Sequence, residues 1–341
     1  MEKKIWADNL RVLAMIAVII GHVSGPILHE YGSVSDSTWW IGNIYDSMIR
    51  FSIPVFTMLT GALMLSKEYE LTYFLKKRFT RILLPFIFWS LIYISIELIT
   101  KMNNGTQISI IEICKFVVLR LLKGGSAVHL WYVYMIIGIY LVFPIINKWI
   151  IHSTNKEIIY FLIFCTIGIF FRIPVLNELY PKIDLSYFSG YLGYVILGYF
   201  LTTKIDYRKK MLPLVLFLLG IIATMVGTYI VTKEKGFFYE GFYSAFSPTV
   251  ILASIGFFLL IKNWDFKSKI WSKTIQFISK YSYGIYLSHF LVLIFLYRVG
   301  LDWSFISPII SIPIITTICL VISLCITFVL HKIPITKHVS G

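Results

Sequence analysis

The residues able to do chemistry are few, and most of them stand inside apolar sequence. The run DNLRVLAMIAVIIGHV carries Arg11 and His22, eleven positions apart. At 100° per residue, eleven steps return to within about 20° of the starting face while climbing roughly 16 Å, so both side chains look along one side of one helix at different depths. An ionisable group within a hydrocarbon span costs on the order of 2.5–3.5 kcal/mol, which implies a polar cavity behind such a pair. Simple anchoring accounts for the two residues as well: Arg11 as an end residue snorkelling to headgroups, His22 as a packing histidine near the outer rim. A second group lies in YFLKKRFTRILLP, where Arg78 and Arg81 project together one turn apart with Lys77 beside them. Such a fork can hold phosphate through bidentate, charge-assisted bonds, although topology alone also puts a basic run at the cytoplasmic end of a span. The third group is AVHLWYVYMIIGIYLVFP, with His129, Trp131, Tyr132 and Tyr134, and an interfacial aromatic belt is the simpler account of the two tyrosines. The fourth, SYGIYLSHF, places Ser282, Tyr286, Ser288 and His289 on two faces of one helix, where bonding between helices is the competing reading.

The elements that must position these groups follow from composition. Hydrophobic residues make up 58% of the 341, aromatics 17% and charged residues only 14%, with a mean hydropathy of +0.80. A water-soluble domain could hardly carry that balance, and apolar runs of roughly 18 to 24 residues match a hydrocarbon core of about 30 Å. The alternating pattern of a membrane barrel is missing. The reading is an all-α polytopic bundle of about ten transmembrane helices, near 9–28, 48–66, 81–100, 129–149, 157–173, 187–203, 210–231, 246–262, 283–299 and 306–331. The chain reads as one membrane domain over 1–341, with no repeat and no linker to a soluble domain, so the bundle itself must carry the activity. Lys3 and Lys4 precede a run that contains Arg11 and His22 and lacks a small-residue cleavage site, which predicts a retained first span.

An even number of spans puts both termini on one side. Assigning that side to the cytoplasm places about two thirds of the 31 Lys and Arg inside, among them Lys76, Lys77, Arg78, Arg81 and the run Arg208 to Lys210, and leaves Arg120, Lys123, Arg172 and Lys233 outside. The aromatic clusters Trp39 and Trp40, and Phe237 to Tyr239, then fall at the outer interface. The net charge of +14 therefore reports topology and the lipid bilayer as partner, and no nucleic acid is implied. Between the third and fourth spans, IIEICKFVVLRLLKGG repeats apolar residues at Ile111, Cys114, Val117, Val118 and Leu121, an amphipathic helix at the surface that ends at Lys123, Gly124 and Gly125. Cys165, Cys319 and Cys325 fall in spans and Cys114 in this connection, with neither paired spacing nor a metal-like pattern, so disulfides and metal are not expected.

Taken in order, these pieces resemble the acyltransferase-3 family, ten-span bacterial inner-membrane proteins that move acetyl or other acyl groups from cytoplasmic coenzyme A to envelope acceptors. The resemblance covers nearly the whole chain. It rests on Arg11 and His22 with ten residues between them, on MIRFSIPVFTMLTGALML, on Arg78-Phe-Thr-Arg81 followed by Ile82 and Pro85, on His129-Leu130-Trp131-Tyr132, and on Tyr283-Gly-Ile-Tyr-Leu-Ser-His289. It implies His22 as the catalytic histidine with Arg11 as its companion, and Arg78, Arg81, Lys77 and Trp131 toward acetyl-CoA. His129, Tyr286 and His289 would then face the acceptor, a hydroxyl or an amine of a sugar, glycopolymer or peptide.

Acyl transfer to a hydroxyl needs a base, donors for the oxyanion and exclusion of water. A largely neutral imidazole suits the first. Either the acceptor attacks directly or a transient acyl-histidine passes the group on. Glu30 and Asp46, near the outer end of the bundle, are candidates to orient the imidazole, and Arg50, at the outer start of the second span, could hold the oxyanion or an anionic acceptor, or simply anchor the helix. The rival reading is a small-molecule transporter, which also needs many spans and buried charges. The related, broken half-repeats common in transporters are not visible here. The oligomeric state is left open, a homodimer included.

Overall fold

The computed structural model describes residues 4–106, 108–123, 126–170 and 190–341. Residues 171–173 and 187–189 of two expected spans lie outside the described residues, as do Lys3, Gly124, Gly125 and Arg172. The architecture is all-helical, 79% helix, with no strand among the described residues. Its helices are α1 (Ile5–His29), α2 (Asp36–Ile49), α3 (Ser52–Met64), α4 (Leu71–Asn103), α5 (Ile110–Leu122), α6 (Trp131–His152), α7 (Asn155–Phe170), α8 (Leu192–Thr203), α9 (Met211–Lys235), α10 (Pro248–Lys262), α11 (Lys269–Arg298) and α12 (Pro308–Lys332). Among the described residues, seven helical segments are long and apolar enough to cross a membrane, which makes this a multi-pass membrane protein. Of the other expected spans, α7 and α8 have 16 and 12 described residues, and α11 runs for 30 but opens with polar sequence.

The second expected span differs from the sequence reading in a way that matters for the site. Helix begins at Asp36, where the Ser35 hydroxyl accepts the Thr38 N–H at 3.2 Å, and continues to Ile49 before a break at Arg50 and Phe51. Pro54 supplies the reason, because it has no N–H to donate back to Arg50 and its ring crowds that carbonyl. Arg50 thus sits at a helix junction, fourteen helical residues into the segment.

The chain forms two compact units. Unit 1 comprises Met1–Lys67, Ile145–Ser279 and Leu301–Thr316; unit 2 comprises Glu68–Pro144, Lys280–Gly300 and Thr317–Gly341. Lipid tails give apolar side chains little reason to leave them, so close packing and interhelical hydrogen bonds must hold such helices together. In unit 1, α3 and α8 touch backbone to backbone: a Cβ at Gly61 would stand 1.7 Å from the Val195 carbonyl oxygen, and one at Gly198 1.9 Å from that of Met58. Phe51 stacks on Phe257 at 3.8 Å beside a core that includes Leu10, Ala14, Val55, Met58 and Phe258. The turn after α3 puts Ser66 at φ 62°, and Asn147 fixes it by accepting the Ser66 N–H at 2.8 Å and donating to the Lys67 carbonyl at 2.7 Å.

In unit 2, Phe74 of α4 stacks on Phe143 of α6 at 5.3 Å. The expected amphipathic helix is α5, opened by a capping box between Ser109 and Glu112. It leans on α4 through the Arg120 to Glu97 ion pair and through Lys101, 4.2 Å above the Phe116 ring. The expected apolar stripe divides: Val117 and Leu121 are half-buried, while Ile111, Cys114 and Val118 are exposed. Trp39 also departs from the belt assignment. It is buried, with its indole N–H donating to the Leu28 carbonyl at 3.2 Å and its ring packed against Tyr31 and Tyr229.

Candidate functional site

On α1 the two polar residues acquire different surroundings. Arg11 Nη1 donates to Asp8 Oδ1 at 2.9 Å and to Ser279 Oγ at 2.7 Å, and the Ser279 hydroxyl donates to the same Asp8 oxygen at 2.6 Å. The guanidinium charge is balanced within one turn of its own helix, and α11 closes the group. Beside it the Trp271 indole N–H donates to Asn9 Oδ1 at 2.8 Å. Asp8 was legible as the i−3 partner of Arg11, a spacing that helix geometry brings into contact. Ser279, 268 residues away, carried no such signal.

His22 stands half-buried three turns further along α1, where α2 delivers a second polar group. Asp46 is fully buried and forms an ion pair with Arg50 one turn on. The Ser24 hydroxyl approaches Asp46 Oδ1 at 3.4 Å, and the same oxygen would lie 3.6 Å from a Cβ placed on Gly21, the residue before His22. Arg50 lies within electrostatic reach of His22. Its guanidinium rests 4.1 Å above the ring of Tyr243, whose hydroxyl donates to Asn43 Oδ1. Asn43 also accepts from Ser47 Oγ at 3.1 Å and donates through Nδ2 to the Met225 carbonyl at 3.0 Å. A buried carboxylate of this kind is tolerable only with its cation, and the surrounding hydrogen bonds fix where that cation points. The two acidic candidates separate here: Asp46 belongs to the group beside His22, and Glu30 is exposed at the C-cap of α1. Tyr243 and Asn43 were missed by the sequence reading because nothing in the spacing of residues 43 and 243 links them.

Unit 2 gathers the remaining candidates into two places. Arg78 is half-buried and Lys77 and Arg81 exposed near the start of α4, where Glu70 caps the helix by accepting the Thr72 N–H at 2.8 Å. Arg78 is hydrogen-bonded to Tyr69; burial raises the phenol's pKa while Arg78 and Lys77 oppose that rise. About fifteen residues along α4, some 22 Å by helical rise, a buried aromatic group surrounds two imidazoles. His129 and His289 have ring centroids 4.8 Å apart, with Tyr93, Tyr286 and Phe290 within 5.5 Å of the His129 ring. The Tyr286 hydroxyl donates to the His129 carbonyl. His289 Nδ1 lies 2.6 Å from the Tyr286 carbonyl and must donate to it, so in the neutral ring Nε2 carries the lone pair. Tyr93 bridges one turn of α11: its hydroxyl donates to the Leu287 carbonyl at 2.8 Å and accepts the Leu291 N–H at 3.0 Å, loosening the turn that bears His289. Trp131, half exposed at the start of α6, lies beside Tyr132, whose ring in turn meets Tyr286 of this group at 5.7 Å. Among the described residues, no three His, Cys, Asp or Glu side chains converge on a point that could hold a metal ion.

These features define a class: a polytopic helical membrane protein with buried, hydrogen-bonded ionisable groups that lipid-facing helices do not need for their own sake. Comparison with protein families carries this one step further, because the acyltransferase-3 family, described as an acyltransferase domain, matches residues 4–332. The chain belongs to that family and is a membrane acyltransferase. No match is found among curated proteins or among solved structures.

Proposed function

We propose that the protein moves an acyl group, most simply acetyl, from a coenzyme A thioester on the cytoplasmic side to an extracytoplasmic acceptor in the envelope of a bacterium. The acceptor is a hydroxyl of a sugar or glycopolymer, or an amine offered in the same geometry. The observation that carries this reading is the buried Asp46 to Arg50 pair set against the turn of α1 that bears His22. A base beside a fixed guanidinium is what transfer from a thioester requires.

In this reading the thioester supplies the activated acyl group. His22 takes the proton from the acceptor oxygen as that oxygen bonds to the thioester carbon, and Arg50 neutralises the charge that grows on the carbonyl oxygen. The C–S bond then breaks, and the departing thiolate takes the proton from His22 to leave as the coenzyme A thiol. Asp46 holds Arg50 in place, and Asp8 and Ser279 do the same for Arg11. The fork of Arg78, Arg81 and Lys77 fits the phosphates of the donor, since among the described residues none of the three is paired with a carboxylate. His129, Tyr286, His289 and Trp131 lie together as the aromatic wall suited to a sugar or a thioester arm. An acyl-imidazole on His22 and direct attack by the acceptor both satisfy this arrangement, and rapid quenching with mass analysis of the protein separates them.

The test is the purified protein with acetyl-CoA, alongside mass spectrometry of envelope extracts from cells with and without it. Thioester turnover and a gain of one acetyl unit on an envelope component are expected. His22→Ala should abolish the gain while leaving the protein folded in the membrane; normal acetylation by that variant would refute the role of His22.

A further inference from the structure

Unit 2 carries a second group of cations, at the start of its α11 segment and the end of α12, which the chemistry above does not use. A cavity of about 370 Å³ is lined by Lys280, Tyr281, His331, Lys332, Pro334 and Lys337. The charge is crowded: Lys280, Lys337, Lys332 and His338 all act on the His331 ring with the same sign. Nδ1 of that ring is shielded from solvent and has no hydrogen-bond partner among the described residues. Segments 280–300 and 317–341 of unit 2 contain no Asp or Glu. In its other segment Glu70 caps α4, Glu112 caps α5 and Glu97 pairs with Lys101 and Arg120, which leaves the exposed Glu68.

The helix dipole does not explain so many cations. Its negative pole attracts charge only within the last turn, and the Leu330 carbonyl there, like that of Ile333 just beyond the helix end, is already engaged. Thr336 Oγ1 donates to the Leu330 carbonyl at 2.6 Å, and the N–H groups of Thr336 and Lys337 donate to that of Ile333 at 3.2 and 3.0 Å. Nor does the cavity's size alone call for cations. Unit 1 has one of the same volume, about 370 Å³, but there Asp206 and Asp265 stand against Arg208 and Lys262. Like charges crowded without carboxylates are relieved when an anion shares the site. Three ammonium groups and an imidazole exceed what a carboxylate's single charge balances, whereas a phosphomonoester brings −1.5 to −2 and three acceptor oxygens. The Tyr283 hydroxyl, donating to the Ile82 carbonyl at 3.0 Å, ties the turn after Lys280 to the turn of α4 after Arg81, so the positive fields of cavity and fork add.

We propose that this cavity is a phosphate-binding site. Two sources offer that chemistry: the nucleotide end of the acyl donor, which rests on the reading of the preceding section, and an anionic phospholipid headgroup, which does not.

Two measurements on the purified chain separate them. One is calorimetric titration with adenosine 3′,5′-bisphosphate in a nonionic, phosphate-free detergent. The other is native mass spectrometry of phosphatidylglycerol retained from nanodiscs of phosphatidylglycerol in phosphatidylcholine. The doubly substituted Lys332→Gln, Lys337→Gln chain should bind the relevant probe about tenfold more weakly than the parent, with an unchanged unfolding temperature. Lys115→Gln, an exposed lysine of α5, should change neither measurement. A loss confined to the bisphosphate assigns the site to the nucleotide, a loss confined to phosphatidylglycerol assigns it to the headgroup, and a loss of both assigns it to phosphate in general. Binding of both probes unchanged by the double substitution, or no binding by the parent, overturns the proposal. Thioester turnover, measured separately, tells its failure from that of the donor reading.

Discussion

In unit 1 the described arginines are matched at close range, Arg11 to Asp8 and Arg50 to Asp46, with the exposed Arg208 leaning on Asp206, while the Lys262 ammonium is held by the Leu201 carbonyl at 2.7 Å. In unit 2 Glu70 and Glu112 cap helices, Glu97 pairs with Lys101 and Arg120, and Glu68 is exposed, while Lys77, Arg78, Arg81, Lys280, Lys332 and Lys337 make no pair with a carboxylate among the described residues. The difference teaches what each part is built to do. Matched buried charges hold a geometry without calling for a ligand, and unmatched ones at a surface call for one. On the proposed function, the base and its electrostatic partner use the first arrangement and recognition of a phosphate uses the second.

The largest expected effect comes from breaking a match. Asp46→Asn leaves Arg50 beside a neutral partner in a buried place, and the loss of stability should reach about 3–5 kcal/mol, with transfer lost as well. Arg50→Gln should cost a similar amount by stranding Asp46. The double variant should recover much of that stability while staying inactive, and thermal unfolding in detergent reads all three. If the double variant is no more stable than either single one, the pair is not the unit that the contrast assumes.

A smaller effect is expected from Tyr93 in unit 2. Tyr93→Phe removes two hydrogen bonds but lets Leu291 return to its own helical acceptor, Leu287, so the net cost should be about 1 kcal/mol. Because His289 lies within that turn, its imidazole ¹⁵N resonances should shift in the variant while those of His22 stay in place. A shift at both would mean that the two groups are not as independent as their separate partners suggest.

How much of this was legible in the sequence depended on whether the cause was local. Apolar runs gave the helices; the apolar spacing from Ile111 to Leu121 gave α5, although the S-x-x-E of Ser109 and Glu112 that opens it went unread; eleven residues put Arg11 and His22 on one face of α1. The extent of α2 was hidden because Asn43, Asp46 and Ser47 make residues 36–47 read as polar, and they are tolerated there only because Tyr243 and Met225, far along the chain, satisfy them. The same reason hid Ser279 from Arg11 and Tyr243 from Arg50. In α5 the composition announced an amphipathic helix, but its contact with α4, through Lys101 over Phe116 and the Arg120 to Glu97 pair, is one that periodicity does not encode.

The smallest expected effect sharpens the comparison from the acidic side. The Glu112 carboxyl is held below its ordinary value of 4.5 by the N–H and hydroxyl of Ser109, so it serves the backbone and not a lysine. A depressed carboxyl contributes stability that is present above its unfolded pKa and is lost as the pH falls through the lower, folded one. Glu112→Ala should therefore speed amide hydrogen exchange in the first turn of α5 at neutral pH, with little change in activity. The difference from the parent should close as the pH is taken down past 4.5, because protonation removes from the parent what the substitution has already removed. A gap that persists in acid would mean that Glu112 acts through packing, and that unit 2 holds an uncharged use for one of its few acids.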